Sequence, residues 1–227
     1  MNYLIFIPAR GGSKSVKNKN LKLLKGKPLI NYTLNTAIKI NKLVKSDIFL
    51  STDSKKIYNY CKNKIKISNY IRPKNLAEDK SNILDSIIHS LNYLKKLNKN
   101  YDAIILLQPT SPARSIRELY LALKLFEKEK LESLVSVCKT REHPNEVIEL
   151  KKRNFKFLLK RKNKNIQRQQ YKRFFFIDGD FYVANLNFLK KNKSFLSEKK
   201  TWPFITKKTW PIDIDYLDDF KVAQSFV

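Results

Sequence analysis

The sequence predicts a three-layer α/β fold built on a mainly parallel sheet. Three observations carry the prediction. Unbroken apolar runs rich in strand formers recur along the chain, helix-spaced segments alternate with them as far as residue 138, and the stretches that follow the runs are polar. With 227 residues, 42% of them hydrophobic, one sizeable core is available, so residues 1–227 are expected to form a single domain.

Tyr3-Leu4-Ile5-Phe6-Ile7 is apolar at every position, as a strand covered on both faces requires. Further strands are expected at Asp47–Ser51, at Asp102–Leu107, at Leu134–Cys138 and, from a weaker pattern, at Lys66–Ile71. Pro28 suits the first turn of a helix carrying Ile30, Leu34, Ala37 and Ile38. Ser81 is the expected cap of a second helix with Leu84, Ile87, Ile88, Leu91 and Leu94, and Ser115 opens a third with Leu119, Ala122, Leu123 and Phe126. There the alternation ends. Val147–Leu150 and Phe155–Leu159 read as short strands flanking a basic turn, a protruding hairpin within an inserted segment at about 140–176. Phe181–Ala184 reads as a returning strand and Tyr216–Gln224 as a closing helix.

Composition excludes several classes of function. Cys61 and Cys138 have no C-x-x-C partner, which rules out a zinc ribbon or disulfide scaffold and suits a reducing compartment. The first apolar run ends at Pro8 and Arg10, far short of the roughly 20 residues of a membrane span, so a soluble cytoplasmic protein with no membrane partner is expected. A net charge of +27 suggests nucleic acid, but most of it is lysine of the kind that A+T-rich codons place on a solvated surface. The excess is uneven: residues 151–173 hold no acid, whereas four aspartates fall within 213–219. A basic nucleic-acid-binding protein using 151–173 is the reading from another class; it lacks interleaved aromatics, so no nucleic-acid partner is expected.

In a parallel sheet the ligand crevice lies beyond the carboxyl ends of the strands, which directs attention to 8–20, 51–53, 72–79 and 108–114. Pro8-Ala9-Arg10-Gly11-Gly12-Ser13-Lys14 is a glycine-containing turn after the first strand, suited to cradling phosphates with backbone N–H groups and two cations. It is neither a Walker A loop nor a dinucleotide fingerprint, and a plain strand-to-loop turn is the alternative. In Asp213-Ile214-Asp215, an extended backbone places residues i and i+2 on one face, so two carboxylates stand side by side as a plausible Mg²⁺ site. Helix capping by Asp215 is the competing reading, and Asp218 and Asp219 are assigned to the helix N-terminus.

IPARGGSK, followed by KNKNLKLLKGKPLINYT, resembles the start of the bacterial CMP-sialic acid synthetases, the acylneuraminate cytidylyltransferases. STDS (51–54), RPKNLAED (72–79), LLQPTSPAR (106–114), QRQQ (167–170) and IDID (212–215) match the same family in order, over nearly the whole chain. The resemblance implies a Rossmann-like nucleotidyltransferase domain that joins CTP to a nine-carbon 2-keto sugar acid with Mg²⁺, works as a homodimer and uses 140–176 for dimerisation. It implies that Arg10, Lys14 and Lys19, with the N–H groups of Gly11, Gly12 and Ser13, clamp the triphosphate. Asn20, Arg72 and Ser81 would surround the cytidine, Gln108 would face the sugar hydroxyl, Arg168 would hold the sugar carboxylate, and Asp213 and Asp215 would hold Mg²⁺. Two departures bear on the sugar. Phe176-Ile177-Asp178-Gly179-Asp180 stands where sialate enzymes usually carry Arg-x-Asn-Gly-Ala, and Glu146 stands near a position that is often lysine. Acids there suit the amino or acylamino groups of legionaminate or pseudaminate, which makes Asp178 or Asp180 an expected sugar contact, with Asp178 the one assigned. A KDO-type enzyme is the alternative within the class, although GGSK favours the nine-carbon branch.

Overall fold

Strand β1 (Tyr3–Pro8) alternates between two helical layers, which explains its unbroken apolar sequence. Tyr3, Ile5 and Ile7 pack with Leu34, Ala37 and Ile40 of α1 (Leu29–Asn41), Ile57 and Cys61 of α2 (Lys55–Lys62), and Leu119, Leu123 and Phe126 of α4 (Ile116–Lys128). On the other face, Leu4 and Phe6 pack with Leu84, Ile87 and Leu94 of α3 (Ile83–Lys96) and with Phe188 and Leu189 of α5 (Leu186–Asn192). These layers belong to a computed structural model that describes residues 1–159 and 172–227.

The six-stranded sheet runs in the order β10 (Thr201–Ile205), β6 (Ser133–Lys139), β9 (Phe175–Asn185), β5 (Ala103–Leu106), β1 and β4 (Ser46–Ser51). β9 pairs antiparallel with both of its neighbours, while every other pairing is parallel, so the sheet is mainly parallel as expected. β10 escaped the sequence pattern because it is an edge strand carrying Pro203 and exposed Trp202 and Ile205.

Local chemistry fixes the helix starts. The side chains of Ser54, Asn82, Ser115 and Asn185 each accept a backbone N–H from the first turn, and each cap contributes about 1 kcal/mol. Asn82 therefore replaces the expected Ser81, whose hydroxyl donates instead to the Asn75 carbonyl at 2.8 Å. Lys66–Ile71 is not a strand either. The Tyr70 N–H turns back to the Ser68 carbonyl, and its ring is wedged against Phe49 and Tyr93 with the hydroxyl 2.9 Å from His89 Nδ1. An aromatic anchor holds this segment in place of a ladder.

A two-stranded ribbon of β2 (Leu23–Leu24) and β3 (Lys27–Pro28) turns through Lys25 and Gly26, both with positive φ, as a tight hairpin favours. Behind it a third apolar cluster joins Val16, Leu24 and Leu29 to Ile212, Ile214, Phe220 and Ala223. This cluster docks the C-terminal segment and α6 (Leu217–Ala223) against the loop that follows β1. The hairpin of β7 (Ile148–Lys151) and β8 (Asn154–Phe157) stands outside all three clusters. It leaves Leu150, Phe155 and Leu158 exposed, and Phe175 and Phe176 at the start of β9 are exposed as well. Among the described residues no helix is long and apolar enough to cross a membrane.

Candidate active site

A cleft of about 410 Å³ opens at the carboxyl ends of β1 and β5. A larger hollow of about 910 Å³ lies against α3 and α5, lined by Met1, Tyr101, Asp102 and Asn185, and it contains none of the candidate residues. The smaller cleft gathers the candidate residues: Arg10, Ser13, Lys19, Asn20, Arg72, Ser81, Gln108, Asp213 and Asp215 line it, whereas Gly11, Gly12 and Lys14 do not.

The loop after β1 is tied down at its base. Ala9 N–H donates to the Ser51 carbonyl, and Gly11 N–H donates to Asp53 Oδ1 at 2.8 Å. A Cβ at Gly11 would sit 2.8 Å from the Cβ of Ser54, so only glycine permits this approach. Gly11 thus shapes the loop and directs its own N–H to Asp53, away from the cleft. Gly12 has open space around its Cα. Arg10 Nη1 and Lys14 Nζ both reach Asp79, at 2.7 and 2.6 Å, and together, Lys14 most strongly, they hold its carboxyl below the usual range. Lys14 is otherwise well exposed.

The wall of the cleft formed by Asn20, Arg72 and Ser81 is held by hydrogen bonds. Asn20 is buried, with its amide donating to the Arg10 carbonyl at 2.9 Å. Arg72 is buried, and its guanidinium donates to the Ser51 hydroxyl and carbonyl and, at 3.5 Å, to the Leu76 carbonyl. Burial lowers its pKa, opposed by the nearby charge of Asp53. Ser81 lines the same wall while donating to Asn75.

Asp213 and Asp215 lie where the extended reading placed them. Ile212 and Ile214 are buried and the two aspartates point outward along one edge of the cleft. The Ile214 N–H docks on the Thr110 carbonyl at 2.8 Å. Lys19 Nζ holds the Ile214 carbonyl at 2.7 Å and Asp215 Oδ1 at 3.0 Å. Capping of α6 falls to Asp219, whose carboxylate accepts the N–H groups of Asp215 and Tyr216. Among the described residues no three His, Cys, Asp or Glu converge as a closed metal site. Two outward carboxylates fit Mg²⁺, which takes few protein ligands and completes its shell with phosphate oxygens and water.

Gln108 closes the far side, and its carbonyl accepts Arg114 Nη2. Sequence reasoning singled out the motif containing Arg114 without giving that residue a role. Burial pushes its pKa down to about 10, opposed by the charges of Asp180, Asp178 and Asp213. A guanidinium in a P-x-R turn carries no sequence mark of burial, so only packing reveals it.

Asp178 requires a correction. It is buried outside the cleft lining, with Oδ1 accepting from the Ser136 hydroxyl and the Asp180 N–H and Oδ2 accepting from Thr206 Oγ1 at 2.9 Å. Both oxygens are engaged by neighbours, so the expected sugar contact is not made by this residue. Arg168 lies outside the described residues. His143 bonds the Lys172 carbonyl and edges onto Phe174, and His89 bonds Tyr70, in agreement with structural roles for both. Both cysteines are free and buried, and burial pushes their thiols up to about 12 for Cys61 and about 11 for Cys138, which disfavours a thiolate nucleophile.

Fold and cleft together define an α/β protein with a cation-lined crevice at its strand ends, the architecture of a nucleotide-handling transferase. The comparisons narrow this class. A family model described as cytidylyltransferase matches residues 4–226, and the chain belongs to that family. It is 30% identical to the CMP-N,N'-diacetyllegionaminic acid synthase of Legionella pneumophila, over all of this chain and 97% of that protein. It is 29% identical to the N-acylneuraminate cytidylyltransferase of Streptococcus agalactiae, over 97% of this chain, which spans about half (52%) of that relative's length. The solved structure of a CMP:2-keto-3-deoxy-manno-octonic acid synthetase complexed with CTP shares the fold, with a TM-score of 0.68 at 15% identity, covering 99% of this chain and 98% of that one.

Proposed function

We propose that the chain transfers a cytidylyl group from CTP to a nine-carbon 2-keto sugar acid of the sialate, legionaminate or pseudaminate type, releasing pyrophosphate. The observation that carries this reading is the cleft that Arg10, Lys19, Gln108 and the Asp213 and Asp215 carboxylates line together. A family relative matched end to end is named for legionaminate, which supports a nonulosonate substrate.

The reaction joins the sugar's anomeric hydroxyl to the α-phosphorus of CTP and breaks the bond to the β-phosphate, so alignment and charge neutralisation do most of the work. Arg10, Lys14 and Lys19 bind the triphosphate and receive the charge that develops on the leaving pyrophosphate. For this, Asp79 must yield Arg10 and Lys14 to the nucleotide. Asn20, Arg72 and the Ser81 turn hold the cytidine, and Gln108 orients the sugar hydroxyl. Asp213 and Asp215 would hold Mg²⁺, which supplies further neutralisation of phosphate charge when bound. The exposed apolar edge of the β7–β8 hairpin supports a homodimer, because an apolar patch of this kind is normally covered. Free, buried cysteines support a reducing, cytoplasmic setting, and this reading requires neither nucleic acid nor membrane.

Pyrophosphate release is measured with each of the four nucleoside triphosphates, Mg²⁺, and N-acetylneuraminate, legionaminate, pseudaminate or KDO. Turnover with CTP and one nine-carbon acid is expected. Turnover with KDO alone, or equal use of a purine triphosphate, would overturn the assignment.

A further inference from the structure

Between the pairs Val137–Ile177 and Val135–Tyr182 the β6–β9 ladder slips, so that β9 places four residues, Asp178 to Phe181, opposite the single Ser136. Such a bulge re-aims side chains and carbonyls, and bulges gather beside functional sites. Here it turns Asp178-Gly179-Asp180 toward two other segments of the chain. Gly179 has a φ of +74°, and its carbonyl accepts the Ser111 hydroxyl at 3.0 Å. A Cβ at this position would press within 3.3 Å of Ser111 Oγ, a second reason for glycine.

The Asp180 carboxylate is 1% exposed and takes Lys208 Nζ at 2.6 Å on both oxygens. Its backbone carbonyl takes Arg114 Nε. Arg114 then reaches Thr33 Oγ1 at 2.9 Å and the Gln108 carbonyl. Asp178 binds Thr206, two residues before Lys208. Three consecutive residues thus grip the loop that presents Gln108 and the segment that leads to Asp213. The two gripped segments also meet directly, where the Ile214 N–H bonds the Thr110 carbonyl.

Taken together, the geometry points to Asp178-Gly179-Asp180, Arg114 and Lys208 as a positioning hub that fixes the distance between Gln108 and the Asp213–Asp215 pair. We infer this on the basis of the functional reading above, and the inference makes Arg114 and Lys208 positioning residues for the transfer. Buried Arg114 and largely covered Lys208 require nearby anions to offset desolvation, which accounts for two buried acids in a strand that otherwise packs apolar side chains. A fully satisfied buried polar network rigidifies its surroundings and admits one arrangement, where an apolar plug of equal volume allows several. Rigidity has value here because a misplacement of about 1 Å between nucleophile and phosphate costs on the order of a hundredfold in rate.

Trp210 lies between Lys208 and Asp213 and reports on that segment without any turnover. In a Trp202→Phe background, Lys208→Met and the double variant Lys208→Met/Asp180→Asn are compared with the parent. The double variant leaves no unpaired buried carboxylate at position 180, so it isolates the loss of the lock from a simple folding defect. In the double variant, kcat is expected to fall at least about tenfold while KM for CTP stays within about threefold, because the cytidine wall does not touch the hub. Acrylamide quenching of Trp210 is expected to rise about twofold. A folded double variant with kcat within about threefold of the parent, or with unchanged quenching, would overturn the hub. If the parent turns over none of the sugars, the functional reading fails, and the quenching result alone then decides the hub.

Discussion

The cleft and the hub beneath it are built from the same residue types, aspartate with lysine or arginine, in opposite surroundings. In the cleft, Asp79 meets Arg10 with both side chains 39% exposed, and Asp215, 62% exposed, meets the more covered Lys19. In the hub, Asp180 meets Lys208 at 1% and 14% exposure. An exposed ion pair contributes little to stability and exchanges partners readily, whereas breaking a buried one leaves an uncompensated charge. The difference teaches that the open pairs are free to be displaced by a ligand, while the closed pair is committed to structure. Asp178 is buried too, with hydroxyls and a backbone N–H as its partners in place of a cation.

Several substitutions sharpen this contrast, and the largest effect is expected at Lys19. Its side chain is 13% exposed and lines the cleft, and its ammonium touches the Ile214 carbonyl and Asp215. Lys19→Met should lower kcat/KM for CTP by about a hundredfold, since a cation facing developing phosphate charge is lost together with the tether of Asp215. Steady-state kinetics checks this, and a loss below fivefold would move Lys19 into the solvated group.

Arg72→Lys comes next. A lysine cannot reproduce the fork that spans Ser51 and Leu76, so a stability loss of about 2 kcal/mol is expected by denaturant titration, with a raised KM for CTP. Asp180 offers a pH test. Burial pushes its carboxyl up to about 6, above the ordinary aspartate range, with Lys208 opposing. Between about pH 4 and 6 the unfolded chain has lost this proton while the folded one keeps it, so stability from this group declines as pH rises through the window. Asp180→Asn should remove that decline, and thermal melts at pH 4, 5 and 6 should show wild type losing ground to the variant by up to about 3 kcal/mol. A parallel pH dependence in both proteins would place the titration elsewhere.

The smallest effect belongs to Asp79→Asn. Removing the carboxylate that occupies Arg10 and Lys14 should tighten pyrophosphate binding by only a few fold at low salt, and the gain should fade at high salt. Isothermal titration at two ionic strengths measures it, and weaker binding would mean that Asp79 assists the ligand.

Much of this was legible beforehand, for identifiable reasons. β1 declared itself because burial on both faces leaves no polar position, and α3 and α4 did so because their buried residues keep strict helical spacing. α2 did not, since only Ile57 and Cys61 are buried among its lysines and polar residues. The reversed direction of β9 depends on pairing with residues about 40 and 80 positions away, which no local pattern encodes. The outward pair at Asp213 and Asp215 was readable from alternation with Ile212 and Ile214. The engagement of Gly11 N–H by Asp53, and of Arg114 by Gln108 and Asp180, was not, because each joins loops far apart in sequence.

The central claim, that exposed acids do the chemistry while buried ones hold the frame, is tested most directly by a paired comparison of Asp213→Asn and Asp178→Asn for kcat and melting temperature. The account predicts that Asp213→Asn melts within about 2 °C of wild type and loses roughly a hundredfold or more in kcat. For Asp178→Asn it predicts a fall of several degrees, because the Asn amide offers one acceptor oxygen where the carboxylate offers two to Ser136, Thr206 and the Asp180 N–H. A stable, inactive Asp178→Asn beside an active Asp213→Asn would contradict it.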